Sequence, residues 1–244
     1  MLVALRKVIG CLVFVFLAVL CNCREACAED GRDPWSGMNR SVYHFNDRLD
    51  RWILQPVARG YVSALPSPLR ANVHNFFSNL GDALVVMNDL LQAHPGAAYH
   101  DGLRLIVNST FGLAGFFDRA TPIGLVKHEQ DFGLTLGRWG VPDGPYVVLP
   151  FVGPSSLRDA PASLVDLLLY PLNFVRPPRD QWGPDVLYVI DKRAQLLPFQ
   201  ATLDGSGDPY SLMREVYLQR RDAAVRADQG KADNSAADDP FTSE

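Results

Sequence analysis

From residue 33 onward, apolar positions recur at three- and four-residue steps, the period of helices that bury one face. Met38, Val42, Phe45, Leu49, Trp52 and Ile53 form one stripe. Asn39, Arg40, Asn46, Asp47, Asp50 and Arg51 lie opposite, which predicts an amphipathic helix over 34–54. Asp33-Pro34 reads as its cap plus proline at the first helical position, and Pro56 as its end. Gly60 to Ser67 reads as a connector. Ser67-Pro68 opens a second helix with Leu69, Val73, Phe76, Phe77 and Leu80 on one face, followed by a more apolar stretch from Asp82 to Ala93. Pro95 starts another through Tyr99, Leu103, Ile106 and Val107.

The pattern changes at Asn108–Gly124. Glycines at 112, 115 and 124 interleave with Phe111, Phe116 and Phe117, which are costly to expose to water. Glycine lets backbone approach another group closely. This stretch reads as a hairpin or broken helix pair that dips into a core or into lipid. Gly133 to Gly153 is rich in Gly and Pro and reads as an ordered loop with one short extended piece at Tyr146–Leu149. Helical patterns return, with Ser155 as cap for Leu157–Tyr170. A turn follows at Pro177-Pro178, then a helix from Gly183-Pro184 to about Leu203. The last helix opens at Asp208-Pro209 and runs to about Val225. Residues 226–244 read as a disordered acidic tail. The expectation is one all-α domain, 29–225, of about seven to nine amphipathic helices.

Composition adds a location. Arg6 and Lys7 precede an uncharged apolar run, Val8 to Cys23, and Ala26-Cys27-Ala28 is a small-x-small cleavage pattern. Residues 1–28 therefore read as a secretion signal. Cleavage after Ala28 would remove all four cysteines (11, 21, 23 and 27) and leave Glu29 first, with a net charge of −6 in place of −4. The competing route, cleavage before an acylated Cys, wants a small residue ahead of it. Leu20, Asn22 and the Arg24-Glu25 pair make each candidate poor. Beyond residue 28 no apolar run approaches the roughly 20 residues of a bilayer span, so the body is soluble or lies in a membrane interface. A sequence pI near 5.7 argues against a nucleic-acid partner.

Catalytic and metal patterns are weak. Histidines 44, 74, 94, 100 and 128 show no i, i+4 pair, so no metal site is expected. Asp47, Asp50 and Asp131 read as solvated or capping groups. Gly153-Pro154-Ser155-Ser156 lacks the second glycine of a nucleophile elbow. No catalytic residue and no cofactor is expected. Trp35, Trp52, Trp139, Trp182 and eight tyrosines fit either corner packing or a water–lipid boundary.

Several strings together resemble the MlaA family, also called VacJ. They are Asp33 to Arg40 (DPWSGMNR) with Tyr43-x-Phe45-Asn46, Asn75 to Leu80, Asn88 to Gln92 and Arg104 to Leu113. Asp131 to Gly137, Gly144 to Pro150, Gly153 to Asp159, Arg193 to Leu197 and Asp208-Pro209-Tyr210 continue them. The resemblance runs in family order from 33 to about 220. It implies a ring-like outer-membrane phospholipid-transport lipoprotein embedded in one leaflet. Such a protein takes mislocalised phospholipids from the outer leaflet and passes them to a periplasmic carrier of the MlaC type. It also implies an outer-membrane porin trimer as partner. Phe45-Asn46 matches an aromatic-Asn element of the family's first helix, which implies control of a lipid channel. Asn108, Phe111, Gly112, Gly115, Phe116 and Phe117 are placed beside that channel, where loose packing would permit gating. Family members carry a clear lipobox, from which this chain departs. Two other readings stay open: a periplasmic lipid hydrolase, and a structural porin-associated protein.

Overall fold

The structure, a computed structural model, describes residues 31–175 and 182–237. The signal segment, both cleavage routes and the Pro177-Pro178 turn lie outside them. The fold is all-α with one small hairpin, as the periodicity predicts.

The first long rod is continuous where a break was expected at Pro56. Helix α1 (Ser36–Leu49) passes through a π turn (Asp50–Leu54) into α2 (Gln55–Ala64). In the π turn, Gln55 N–H bonds to the Asp50 carbonyl, five residues back. Proline cannot donate, and in a regular helix its ring meets the carbonyl four residues earlier. The wider turn just ahead relieves that conflict, so the rod reaches Ala64 and the Gly60–Ser67 connector shrinks to Leu65-Pro66.

Helix α3 (Ser67–Leu91) and helix α4 (Pro95–Thr110) form an antiparallel pair. The direction is fixed by Asp82 meeting Arg104 and Asn79 meeting Ser109. The connection is tight, with Ala93 at φ 59°. A 3₁₀ turn (Thr121–Ile123) follows, then α5 (Phe132–Arg138), which the Gly/Pro content concealed. Asp131 accepts from Leu134 N–H at 2.8 Å and caps it. Strands β1 (Tyr146–Leu149) and β2 (Gly153–Ser156) pair antiparallel, Tyr146 opposite Ser156 and Leu149 opposite Gly153. Ser155 therefore lies in a strand. Ser156 Oγ accepts the Asp159 N–H instead, at the start of α6 (Asp159–Leu169). Helices α7 (Leu172–Val175), α8 (Trp182–Leu196) and α9 (Gln200–Gly205) lead to α10 (Pro209–Ala237).

Helix α10 outruns its expected end at Val225, since Ala, Gln and Lys are good helix formers and no proline intervenes before Pro240. Its Asp228 is buried and accepts from Gln130 Nε2 at 3.1 Å, so the packed body extends past 225. The small apolar core joins three elements, with Tyr43 from α1, Tyr146 and Val148 from β1, and Tyr210 from α10. Asp33 does not cap α1. It is buried here, bonded to Asn39 Nδ2 at 2.7 Å and to the Tyr210 hydroxyl.

Candidate functional site

The site residues expected from sequence fall into two groups. Phe45 and Asn46 sit on α1 against the hairpin. Asn39 and Asn46, two turns apart, clamp it together. Asn39 is fully buried, donates to the Tyr146 carbonyl at 3.0 Å and accepts from Val148 N–H at 2.9 Å. Asn46 Nδ2 donates to the Leu149 carbonyl at 2.9 Å, and its Oδ1 accepts from Phe151 N–H at 2.8 Å. One amide thus spans the hairpin turn. Phe151 at its apex has φ 66°, uncommon for a bulky side chain. Its ring packs edge-on against Phe45, centroids 5.3 Å apart. Both rings and Val152 are exposed, so the α1 element holds out an apolar tip.

The other six residues gather where α4 ends. The chain reverses over 111–117 with Leu113 at φ 54°, Ala114 at 58° and Gly115 at 92°. Two consecutive non-glycine residues in the left-handed region store strain of about 1–2 kcal/mol each. Buried Asn108 holds the return path. Its Oδ1 accepts from Arg119 N–H at 2.8 Å and Ala120 N–H at 3.0 Å, and its carbonyl accepts from Gly115 N–H at 2.8 Å. A Cβ on Gly112 would stand 2.2 Å from the Phe117 carbonyl oxygen, and one on Gly115 would stand 2.4 Å from Asn79 Cβ. Phe116 stacks on Phe76 of α3 with centroids 4.9 Å apart. The loop is therefore docked closely on α3, which replaces the expectation of loose packing. Phe111, Leu113, Phe116 and Phe117 nonetheless stay exposed. Among the described residues no hydrogen bond or ring contact joins the two groups.

A charged network anchors the base of this loop. Buried Asp82 of α3 accepts from Arg104 Nε at 3.2 Å and from Lys127 Nζ. Burial pushes the Asp82 carboxyl above its usual range, outweighing the pull of Lys127 and Arg104. Arg104 is itself buried and also donates to Thr121 Oγ1 (2.8 Å), the Leu125 carbonyl (2.7 Å) and Asp118 (3.2 Å). For Asp118, burial opposes ionisation. Hydrogen bonds from the Thr121 hydroxyl and backbone and from Arg104 outweigh it and hold the pKa at about 2. Sequence reasoning missed α3 as the docking partner and Asn39 as the second clamp. The available signal was asparagine at helical spacing, 39 with 46 and 75 with 79.

A separate open cavity of about 210 Å³ lies among Tyr61, Ser67, Arg70, Ala71, His74, Asp191, Ala194 and Gln195. Buried Asp191 gathers the Tyr61 hydroxyl (3.3 Å), His74 Nδ1 (3.2 Å) and Gln195 Nε2 (3.0 Å). Burial, then Asp191, pushes the Tyr61 hydroxyl up to about 12.

Among the described residues the usual sorting of side chains is inverted: nineteen polar or charged residues are buried against fifteen apolar ones, six of the latter alanine. Thirty large apolar residues are exposed, Trp52 at 79% and Phe111 at 76% among them. Buried polar groups and exposed apolar ones are the informative exceptions to ordinary burial. The buried ones described above are hydrogen-bonded, which offsets their desolvation. Among the described residues no helix is long and apolar enough to cross a membrane.

Residues 31–224 match the family model described as MlaA lipoprotein. The chain is 38% identical over 206 residues to the intermembrane phospholipid transport system lipoprotein MlaA of Shigella flexneri, covering 80% of this chain and 82% of the relative. It is 31% identical over 202 residues to the Haemophilus influenzae protein of the same name, with 78% of each covered. A solved structure described as the structural basis for maintenance of bacterial outer membrane lipid asymmetry superposes with a TM-score of 0.69 at 36% identity, over 79% of this chain and 98% of that one.

Proposed function

The chain belongs to the MlaA lipoprotein family, and we infer from this that it is the outer-membrane component of an intermembrane phospholipid transport system. It removes mislocalised phospholipids from the outer leaflet and so maintains lipid asymmetry. The single observation that carries this beyond kinship is the inverted sorting of side chains. A protein set in one leaflet meets acyl chains on its outside and polar headgroups on its inside. Exposed Trp52, Ile53, Phe111, Leu113 and Phe151 suit the first, and the hydrogen-bonded interior suits the second. Embedding in a single leaflet needs no spanning segment.

The ring-like arrangement, the porin trimer, the MlaC-type periplasmic carrier and the periplasmic face of the outer membrane belong to this proposal. Phe45 and Asn46 set the hairpin tip. Asn108, Phe111, Gly112, Gly115, Phe116 and Phe117 form the second apolar edge, and lipid passes under control of these two elements. Their separate attachments, one to α1 and one to α3, support independent adjustment.

The test is transfer without chemistry. Purified full-length protein is given vesicles of labelled phospholipid and a soluble carrier. Intact labelled phospholipid on the carrier supports transport, whereas free fatty acid favours the hydrolase reading. Mass spectrometry of the mature N-terminus separates an acylated Cys from Glu29.

A further inference from the structure

We propose that His100, Asp101 and His128 form a binding site for one divalent transition-metal ion of the zinc type, a site independent of the lipid-handling reading. Among the described residues these three alone bring metal-capable groups together, all ligand atoms lying within 4.8 Å of one another. No i, i+4 histidine pair exists in the sequence because the site is assembled from two elements, α4 and the segment leading into α5.

The geometry is already close to coordination. His100 Nδ1 lies 3.0 Å from Asp101 Oδ1, and His128 Nδ1 lies 2.9 Å from Asp101 Oδ2. Zinc takes imidazole nitrogen and carboxylate oxygen at about 2.0–2.2 Å, which puts neighbouring tetrahedral ligands roughly 3.3 Å apart. The two histidine–carboxylate separations of 2.9–3.0 Å need only a few tenths of an ångström of expansion, and the imidazole nitrogens, with all three ligand atoms inside 4.8 Å, close on the ion by rotation of exposed rings. The two rings converge on one carboxylate with centroids 4.9 Å apart.

Charge points the same way. Asp101 is 1% exposed and its hydrogen bonds go to the two imidazoles. The nearby cations are committed elsewhere, Arg104 to Asp82 and Asp118, Lys127 to Asp82. Three carboxylates thus face two fixed cations, and a buried carboxylate wants a full partner. Two imidazoles and one carboxylate suit zinc, cobalt or nickel better than magnesium or calcium. The histidine side chains are 28% and 34% exposed, so water reaches the fourth position.

The ion would do structural work. His100 and Asp101 precede the 108–124 loop and His128 follows it. One ion there ties both ends of the loop together.

The test uses the full chain, purified in detergent, stripped with chelator and titrated with Zn²⁺. Glutamine is the replacement at both histidines because it keeps an N–H donor for Asp101, and circular dichroism verifies the fold. The expected result is one Zn²⁺ per chain by elemental analysis. His100→Gln and His128→Gln each weaken binding by at least about tenfold, and the double variant binds none. At a Zn²⁺ concentration one hundred times the Kd, the wild-type unfolding midpoint should rise by roughly 5–10 °C, and that of the double variant should not move. Cobalt should give visible absorption bands of a tetrahedral site in the wild type alone. Absence of binding to the wild type overturns the proposal. So does equal binding by a folded double variant.

Discussion

Gly115→Ala probes the docking of the 108–124 loop most sharply. The new Cβ would stand 2.4 Å from Asn79 Cβ and 2.7 Å from its Cγ and Nδ2. Ordinary contact begins about 1 Å further out, so the loop and α3 must separate. Such overpacking costs about 1–3 kcal/mol. Residue 115 also has φ 92°, where a side chain adds about 1–2 kcal/mol. Separation also stretches the 3.0 Å bond from Asn79 Nδ2 to Ser109 Oγ, worth about 1 kcal/mol. Because relaxation shares these costs, the expected total is about 3 kcal/mol, a fall of roughly 6–12 °C in unfolding midpoint for a chain of this size. Ala114→Gly makes the opposite change one residue earlier. At φ 58° it sheds about 1–2 kcal/mol of strain and gives back about 0.4–1 kcal/mol in unfolded-chain entropy, a net gain below about 1.5 kcal/mol. Thermal unfolding by circular dichroism in detergent measures both. A Gly115→Ala loss under about 1 kcal/mol would refute the close docking described here, and an Ala114→Gly loss of any size would refute the backbone strain at residue 114.

Three further outcomes follow from the geometry. Asn39→Ala leaves Val148 N–H, the Tyr146 carbonyl and Asp33 buried without their amide partner, and should cost about 3–5 kcal/mol in chemical unfolding. Asn39→Asp should not rescue it, since it removes the donor and sets a second carboxylate beside Asp33. Asn46→Ala loses two bonds at the hairpin turn, about 1 kcal/mol each, and hydrogen exchange should show the Phe151 amide opening roughly thirtyfold faster. Asp118 has a folded pKa of about 2, below the ordinary carboxylate value of about 3.8, so its contribution is present above about pH 4 and lost as pH falls toward 2. That contribution is about 1–2 kcal/mol once solvent screening is allowed for. Asp118→Asn should remove this acid-dependent step from the stability profile.

Much of the fold was legible because amphipathic helices announce themselves by spacing. The stripe from Met38 to Ile53 and the proline starts at Ser67-Pro68, Pro95 and Asp208-Pro209 all lie in or open helices. The misreadings arise where a local rule is overridden, by a neighbouring turn at Pro56 and by distant partners at Asp33 and Asp131. Pro56 ends a helix unless a π turn precedes it. Asp33 looks like a cap until Tyr210, 177 residues away, gives its carboxylate a buried partner. Helix α5 hid among glycines, its cap at Asp131 held by Arg221 of α10. At the candidate site, the unusual character of 108–124 was plain in composition, and so was its close backbone approach. Its partner α3 was not, because which surface a glycine faces is a tertiary fact. The histidine–aspartate cluster was invisible for the same reason, since 101 and 128 meet only after the loop folds back.

The central claim is that this chain clears phospholipid from the outer leaflet. The most direct test is surface-accessible phospholipid in a strain lacking the gene, compared with the same strain carrying the wild-type chain or the Gly115→Ala variant. The account predicts raised outer-leaflet phospholipid in the deletion, restoration by the wild type and weaker restoration by the variant. Unchanged outer-leaflet phospholipid in the deletion would contradict it and leave the structural porin-associated reading in its place.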